Sequence, residues 1–426
     1  MKLNLKDFST KLIIHGMGGF LCLLLAGCLS TGGKSKVLPS SGQRAYPVKL
    51  GIDVLRESGY APLQGKRVGL ICNQTSVDRN GNRTREVLHR APQVRLTALY
   101  TPEHGLDGTE LAGKKLSSRR DPVTGLTAYS LYGDTRKPTA AMLAPIDVML
   151  FDLQDIGSRS YTYISTMALA MEACAENGKE FIVLDRPNPM GGLRVEGPPL
   201  ESKWKSFVGQ IPVPYVHGMT TGELAGMIHG KHMIRAVPRL TVIRMEGWSR
   251  AMSWSQTGLR WIPTSPNIPK GTSPLYYAAT GMLGGLYGVD IGIGTSGAFE
   301  FAAAEGVDSN EFTRYMNAKN FQGVRFTPYY SKKKPGFAGS QIFIDHSASA
   351  DLIELDVTLI AELNRRNRTD LFRNTPASEM SLFHKVFGSD SLANDLKRGV
   401  SPKTVAAKWK GYCQGFRSER MRYLLY

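Results

Sequence analysis

Cysteine is scarce in this sequence, five residues in 426, and none of the five is spaced as a metal site. No GxSxG elbow and no P-loop occurs, which removes support for serine hydrolase and nucleotidase chemistry. There is no internal repeat, no long low-complexity tract and no apolar run of comfortable membrane-spanning length. Acidic residues are in deficit, 36 against 53 basic ones, for a net charge of +17. That surplus suits anionic partners such as lipid headgroups or wall polymers. The 42% hydrophobic and 21% charged residues are those of an ordinary globular protein.

The N-terminus reads as a targeting segment. Lys2, Lys6 and Lys11 precede an apolar stretch from Phe20 to Ala26, which runs into Leu25-Ala26-Gly27-Cys28. This arrangement resembles a bacterial lipoprotein lipobox, with residues 1–27 as signal peptide, cleavage before Cys28 and a lipid on its sulfur. Leu29 in place of Asp resembles the outer-membrane sorting pattern, facing the periplasm, if the host is Gram-negative. Residues 28–48 are rich in Ser, Gly, Lys and Pro and read as a flexible tether. Without the leader, 50 basic and 35 acidic residues remain, a surplus of 15. A lipoprotein outside the cytoplasm rarely meets nucleic acid, so none is expected as a partner. Cys72, Cys174 and Cys413 are left as buried free thiols.

Four short apolar runs each end in a polar burst: RVGLIC before NQTS, VRLTALY before TPEHG, IDVMLF before DLQDIGSR, and EFIVL before DRPNP. They have strand length, and helical stretches separate them, the pattern of a parallel α/β sheet. The expected strands are 65–73, 94–101, 146–152, 180–185 and 240–245, with helices at 83–91 and 160–177. Thr220 and Glu223 form a capping box for a helix ending near Gly230. A Pro-rich turn in composition around Trp261 to Pro274 marks a boundary between residues 49–264 and a smaller α+β part, 265–426. That part is expected to hold strands near 324–327 and 341–345 and helices at about 351–366, 379–387 and 401–422.

Ligands of such sheets sit outside the carboxyl ends of the strands. Asn73, Glu103, His104, Asp152, Gln154, Asp155, Arg159, Asp185, Arg186 and Asn188 all fall there. Glu103, beside an imidazole and the permissive Gly105, suits a positioned proton donor. Gly292 to Gly297 fits GxGxxG, and Phe299 to Glu305 after it can be helical. The segment nevertheless follows a finished α/β unit, and no second strand with a terminal acid follows at the right distance. It reads as a tight loop that lets backbone approach a ligand, and no cofactor or metal is expected.

The motifs VGLICNQTSVD, TPEHG, FDLQDIGSRSYTYISTM, VLDRPNPMGG, EGPPL, SFVGQIPVPYVHGMTTGEL and YLLY together resemble the NamZ-type exo-β-N-acetylmuramidases, from about residue 50 to Tyr426. The resemblance implies a Rossmann-like N-terminal domain, a smaller C-terminal domain and an active-site cleft between them. It also implies release of N-acetylmuramic acid from the non-reducing ends of peptidoglycan fragments, with Glu103 as the family's PEHG glutamate. One stretch departs. Where the family carries FEGTNxSxGRGT, this chain has Gly284 to Thr295, with Gly for the acid and Ile293 for the arginine.

The sequence therefore reads as a lipid-anchored glycoside hydrolase. Glu103 is the acid and His104 its neighbour; Asp155, with Asp185 behind it, is the second carboxylate, unless the substrate's own 2-acetamido group attacks. Arg159 or Arg186 can fork onto the lactyl carboxylate, and Tyr161 and Tyr163 can stack on sugar faces. Asn73, Gln154, Asn188 and His217 complete the expected binding set. The rival reading is a muropeptide-binding lipoprotein that kept the cleft and lost turnover through the altered Gly284–Thr295 stretch.

Overall fold

The computed structural model describes residues 48–111 and 113–426. The leader, Cys28 and all of the tether but Val48 lie outside the described residues. Seven strands form the first sheet: β1 (Arg67–Cys72), β2 (Arg95–Thr101), β3 (Arg119–Arg120), β4 (Thr127–Ser130), β5 (Val148–Asp152), β6 (Glu180–Leu184) and β7 (Leu240–Ile243). Their order is β3-β4-β2-β1-β5-β6-β7. Every neighbouring pair is parallel except β3 with β4. The chain leaves β1 for β2 and β4 on one side, then returns to place β5 on the other. The strand order thus reverses between β1 and β5, and a ligand crevice belongs at that point.

Alternating residues feed two cores, as the pleat requires. Val68, Leu70, Val148, Leu150, Ile182 and Leu184 join one cluster with helix Gly51–Glu57. Ile71, Met149, Phe151, Phe181 and Val183 face a larger cluster that takes in helix Tyr163–Glu176 and the C-terminal part. Gly69 is small for a reason: an added Cβ would stand 2.8 Å from the Tyr100 ring and 2.9 Å from Ile146. The Thr220–Glu223 capping box forms as expected at helix Thr221–Gly230.

The second sheet comprises β8 (Val289–Asp290), β9 (Phe301–Glu305), β10 (Val324–Tyr330) and β11 (Phe337–Ile344). It is antiparallel throughout, in the order β10-β11-β9-β8. Two expectations need correction here. Phe299 to Glu305 contains strand β9 and no helix; a short apolar run such as FAAAE carries no period that separates the two states. The GxGxxG segment therefore links antiparallel strands, not a strand to a helix. The single helix expected over 401–422 is two, Pro402–Ala407 and Lys410–Arg420, broken where Trp409 turns into the core with 4% of its surface exposed. No described helix is long and apolar enough to cross a membrane.

Candidate active site

The loops after β1, β2, β5 and β6 gather at the strand-order reversal. Glu103, two residues past β2, is 8% exposed. Its Oε1 accepts from the Gly113 backbone N–H at 2.9 Å and its Oε2 from the Thr162 hydroxyl at 2.8 Å. Thr162 stands at the start of helix Tyr163–Glu176, so β2 and β5 jointly aim this carboxyl. Burial, and then the charge of Glu103, push the Tyr132 hydroxyl up to about 12. Glu103 also acts on Tyr277, which burial raises to about 12 and which bonds Ser160 at 2.9 Å. Tyr277 belongs to the C-terminal part, so both halves of the chain contribute to the site.

His104 holds a left-handed φ of 69°, and its Nδ1 donates to the Glu110 carbonyl at 2.7 Å. Phe299 is likewise left-handed at 70°, and its ring lies 5.0 Å from that of Tyr277. Non-glycine residues adopt this conformation at a cost and cluster at functional sites.

Asp155 differs from its neighbours. Its Oδ2 accepts from Gly157 N at 2.7 Å, and its Oδ1 is buried with no hydrogen-bond partner among the described residues. Burial pushes its carboxyl up to about 7, against two backbone hydrogen bonds that pull it down. A carboxyl poised near neutrality with a free oxygen is the kind of group that acid–base and charge-stabilising chemistry requires.

Several expected binding residues prove to be scaffold. Arg159 is fully buried; its guanidinium donates to the carbonyls of Pro198 and Val213 at 2.8 Å and of Phe387 at 2.7 Å, and burial lowers it to about 10. It has no carboxylate partner and no path to a sugar, which corrects its assignment to the lactyl group. Asp185, raised by burial to about 6, accepts from Gly222 N, Thr220 Oγ1 and Tyr426 Oη. It caps a helix and ties down the C-terminal segment, and is not a second catalytic carboxylate.

Asn73 bonds Thr75 and Tyr163, and Asn188 bonds Met219 and Met190. Tyr163 Oη donates to the Thr264 carbonyl at 2.6 Å and Tyr161 Oη to the Thr264 hydroxyl at 2.7 Å, so neither ring is a free stacking platform. His217 is buried, lowered by burial to about 3, and accepts from Met219 N. Gln154 spends its Nε2 on two carbonyls and leaves Oε1 unpartnered. Arg186 pairs with Asp152 at 2.6 Å and borders a small cavity.

Thr162, Tyr132 and Tyr277 were not singled out in the sequence. Thr162 lies just past the polar burst after β5, at the start of the expected helix, and carried no signal of its own. Cys72, Cys174 and Cys413 are free and buried, as expected. Among the described residues no three His, Cys, Asp or Glu side chains gather as a metal-holding group.

Residues 68–272 match the family model described as exo-β-N-acetylmuramidase NamZ, N-terminal, and residues 275–426 match its C-terminal counterpart. The chain belongs to the NamZ family. It is 36% identical over 411 residues to the peptidoglycan β-N-acetylmuramidase NamZ of Bacillus subtilis, covering 95% of this chain and 97% of that one. Two solved structures of DUF1343 family proteins from Bacteroides fragilis share the fold. One is 42% identical with a TM-score of 0.84, the other 26% with 0.68, and each covers 89% of this chain and 99% of its own. The NamZ family is one of glycoside hydrolases.

Proposed function

We propose that this protein is a lipid-anchored exo-acting glycoside hydrolase that releases N-acetylmuramic acid from the non-reducing ends of peptidoglycan fragments. The observation that carries the reading is the pairing of a NamZ match over both halves of the chain with Glu103 held by Thr162 at the strand-order reversal, where the loop after β5 also carries Asp155. Glycoside cleavage needs a donor that protonates the leaving oxygen and a group that meets the oxocarbenium-like centre. Glu103, braced by Gly113 and Thr162, takes the first role. Asp155, with its unpartnered Oδ1, takes the second, either alone or by orienting the sugar's 2-acetamido group. Tyr277 and Phe299 close the site from the C-terminal side and exclude water. Cys28 carries the lipid, and residues 29–48 tether the enzyme to the membrane, with the outer membrane as its site in a Gram-negative host.

Soluble protein lacking residues 1–28 is expected to release chromophore from a glycoside capped with N-acetylmuramic acid and to leave an internally linked analogue intact. The second reading, a muropeptide-binding protein without turnover, draws on the departing stretch. The lost acidic residue falls near Gly285, where an added Cβ would stand in ordinary contact, 3.4 Å from Phe383 Cδ2. Tight binding of the capped glycoside with no chromophore release would favour that reading over hydrolysis.

A further inference from the structure

A cavity of about 140 Å³ opens at the carboxyl ends of β1, β5 and β6. Gln154, the residue before Asp155, forms part of its wall. Trp254 and Ile262 supply apolar surface, and Arg79, Arg186 and Arg260 supply charge. Arg186 is already neutralised by Asp152. Asp78, the acidic residue of the lining, is committed to Arg56 at 2.7 Å and to Asn80 and Asn82.

Arg79 donates its backbone N–H to the Asp53 carboxylate, and among the described residues no ion pair or hydrogen bond is made by its guanidinium or by that of Arg260. Gln154 is 4% exposed, its amide nitrogen is pinned to two carbonyls, and its Oε1 is an orphaned buried acceptor. Two unpaired guanidinium groups beside a small, partly apolar hole suit a planar anion, which arginine grips with two parallel hydrogen bonds. The orphaned Oε1 suits a donor on the same ligand, since a buried acceptor left unmet is costly.

We propose that this cavity is the carboxylate subsite of the glycosidase site, with Arg79 and Arg260 gripping the lactyl carboxylate of N-acetylmuramic acid and Gln154 Oε1 accepting from a sugar hydroxyl or amide. The proposal rests on the function proposed above. Arg186, paired to Asp152, is the fixed back wall and not the reader of the charge.

The test is calorimetric titration of soluble protein with N-acetylmuramic acid and with N-acetylglucosamine, which differ by the lactyl group. Wild-type protein is expected to prefer the first sugar. Arg79→Ala and Arg260→Ala are each expected to weaken it by about 10-fold or more, the scale of one charge-assisted pair, and to leave the second sugar unchanged. Arg260→Lys should recover part of the preference, since charge returns without the fork. Arg260 is exposed and Arg79 half-buried, and neither contacts the Arg186–Asp152 pair through an ion pair, so their replacement spares that pair and the fold. Equal losses for both sugars, or none for either, overturn the subsite. Because binding is read without turnover, charge discrimination in a protein that fails the hydrolysis assay would sink the glycosidase reading and leave the subsite standing.

Discussion

The two carboxyl groups at the strand ends sit in unlike surroundings, and each makes a separate prediction. In Glu103→Gln the amide oxygen can still accept from Gly113 N–H while the amide nitrogen donates to the Thr162 hydroxyl in place of accepting from it, so the variant should fold normally by circular dichroism. It should lose about 10²- to 10⁴-fold in turnover, the scale of general acid catalysis. The loss should shrink for a nitrophenyl leaving group, which needs little protonation; equal losses on good and poor leaving groups would point to a positioning role. Asp155 sits at about 7 because burial raises it, whereas an unfolded aspartate titrates at about 3.9. The folded chain therefore keeps a proton the unfolded chain gives up. The associated stability is full below about pH 4 and is lost as pH climbs through about 7. If ionised Asp155 faces the developing cation, kcat should rise through about pH 7. Asp155→Asn should be slow, lack that limb and lose less stability between pH 4 and 7. A pH–rate profile and denaturation at both pH values would check this, and an unchanged limb in the variant would assign it elsewhere. The strand-end rule located these residues but could not tell a group aimed at a ligand from one bonded inward. Asp185 and Asn188 share the polar signature of Asp155, yet they bond backbone and hydroxyl groups of a segment more than thirty residues on, and His217 bonds the backbone N–H of Met219, two residues on.

At the scale of elements, the parallel strands were legible because burial on both faces makes near-continuous apolar runs. The helix starting at Thr221 was legible because its capping box is local. Strand β4 was missed: Thr127 to Ser130 holds only two small or aromatic apolar residues. It is a strand because β2 offers it an edge, which is a tertiary fact. Strand β9 was misread for the same reason, its three alanines being paired by β11. Arg159 joins elements no sequence pattern links, since its guanidinium meets the last carbonyl of helix Ala377–Phe387. Arg159→Ala would strand three buried carbonyls and open a cavity, a destabilisation of about 3 kcal/mol or more. Arg159→Met, which keeps the bulk, should recover part of it. Urea denaturation of both variants measures the split; a midpoint shift of zero for Arg159→Ala would show that the clamp carries no stability.

At the scale of the whole molecule, one large hydrophobic cluster runs from the first sheet through the C-terminal helices, so the two family-matched parts are packed as one body. The full sequence carries a net charge of +17, a surplus that suits anionic partners. The anchor is tested in cells with an alkyne fatty acid: Cys28→Ser should remain an unlabelled precursor, and equal labelling of wild type and variant would remove the lipid from the account.

The ties that finish the carboxyl edge of the first sheet span long stretches of chain. Arg159 waits for Phe387, 228 residues on, and Asp185 for Tyr426, 241 residues on. A sheet whose strands are all made early is thus left with an unclosed edge until the C-terminal helices have been translated. Contacts so distant in sequence are slow to form. Until that segment docks, Arg159 lacks its Phe387 partner and Asp185 its Tyr426 partner, so the carboxyl edge of the sheet closes last.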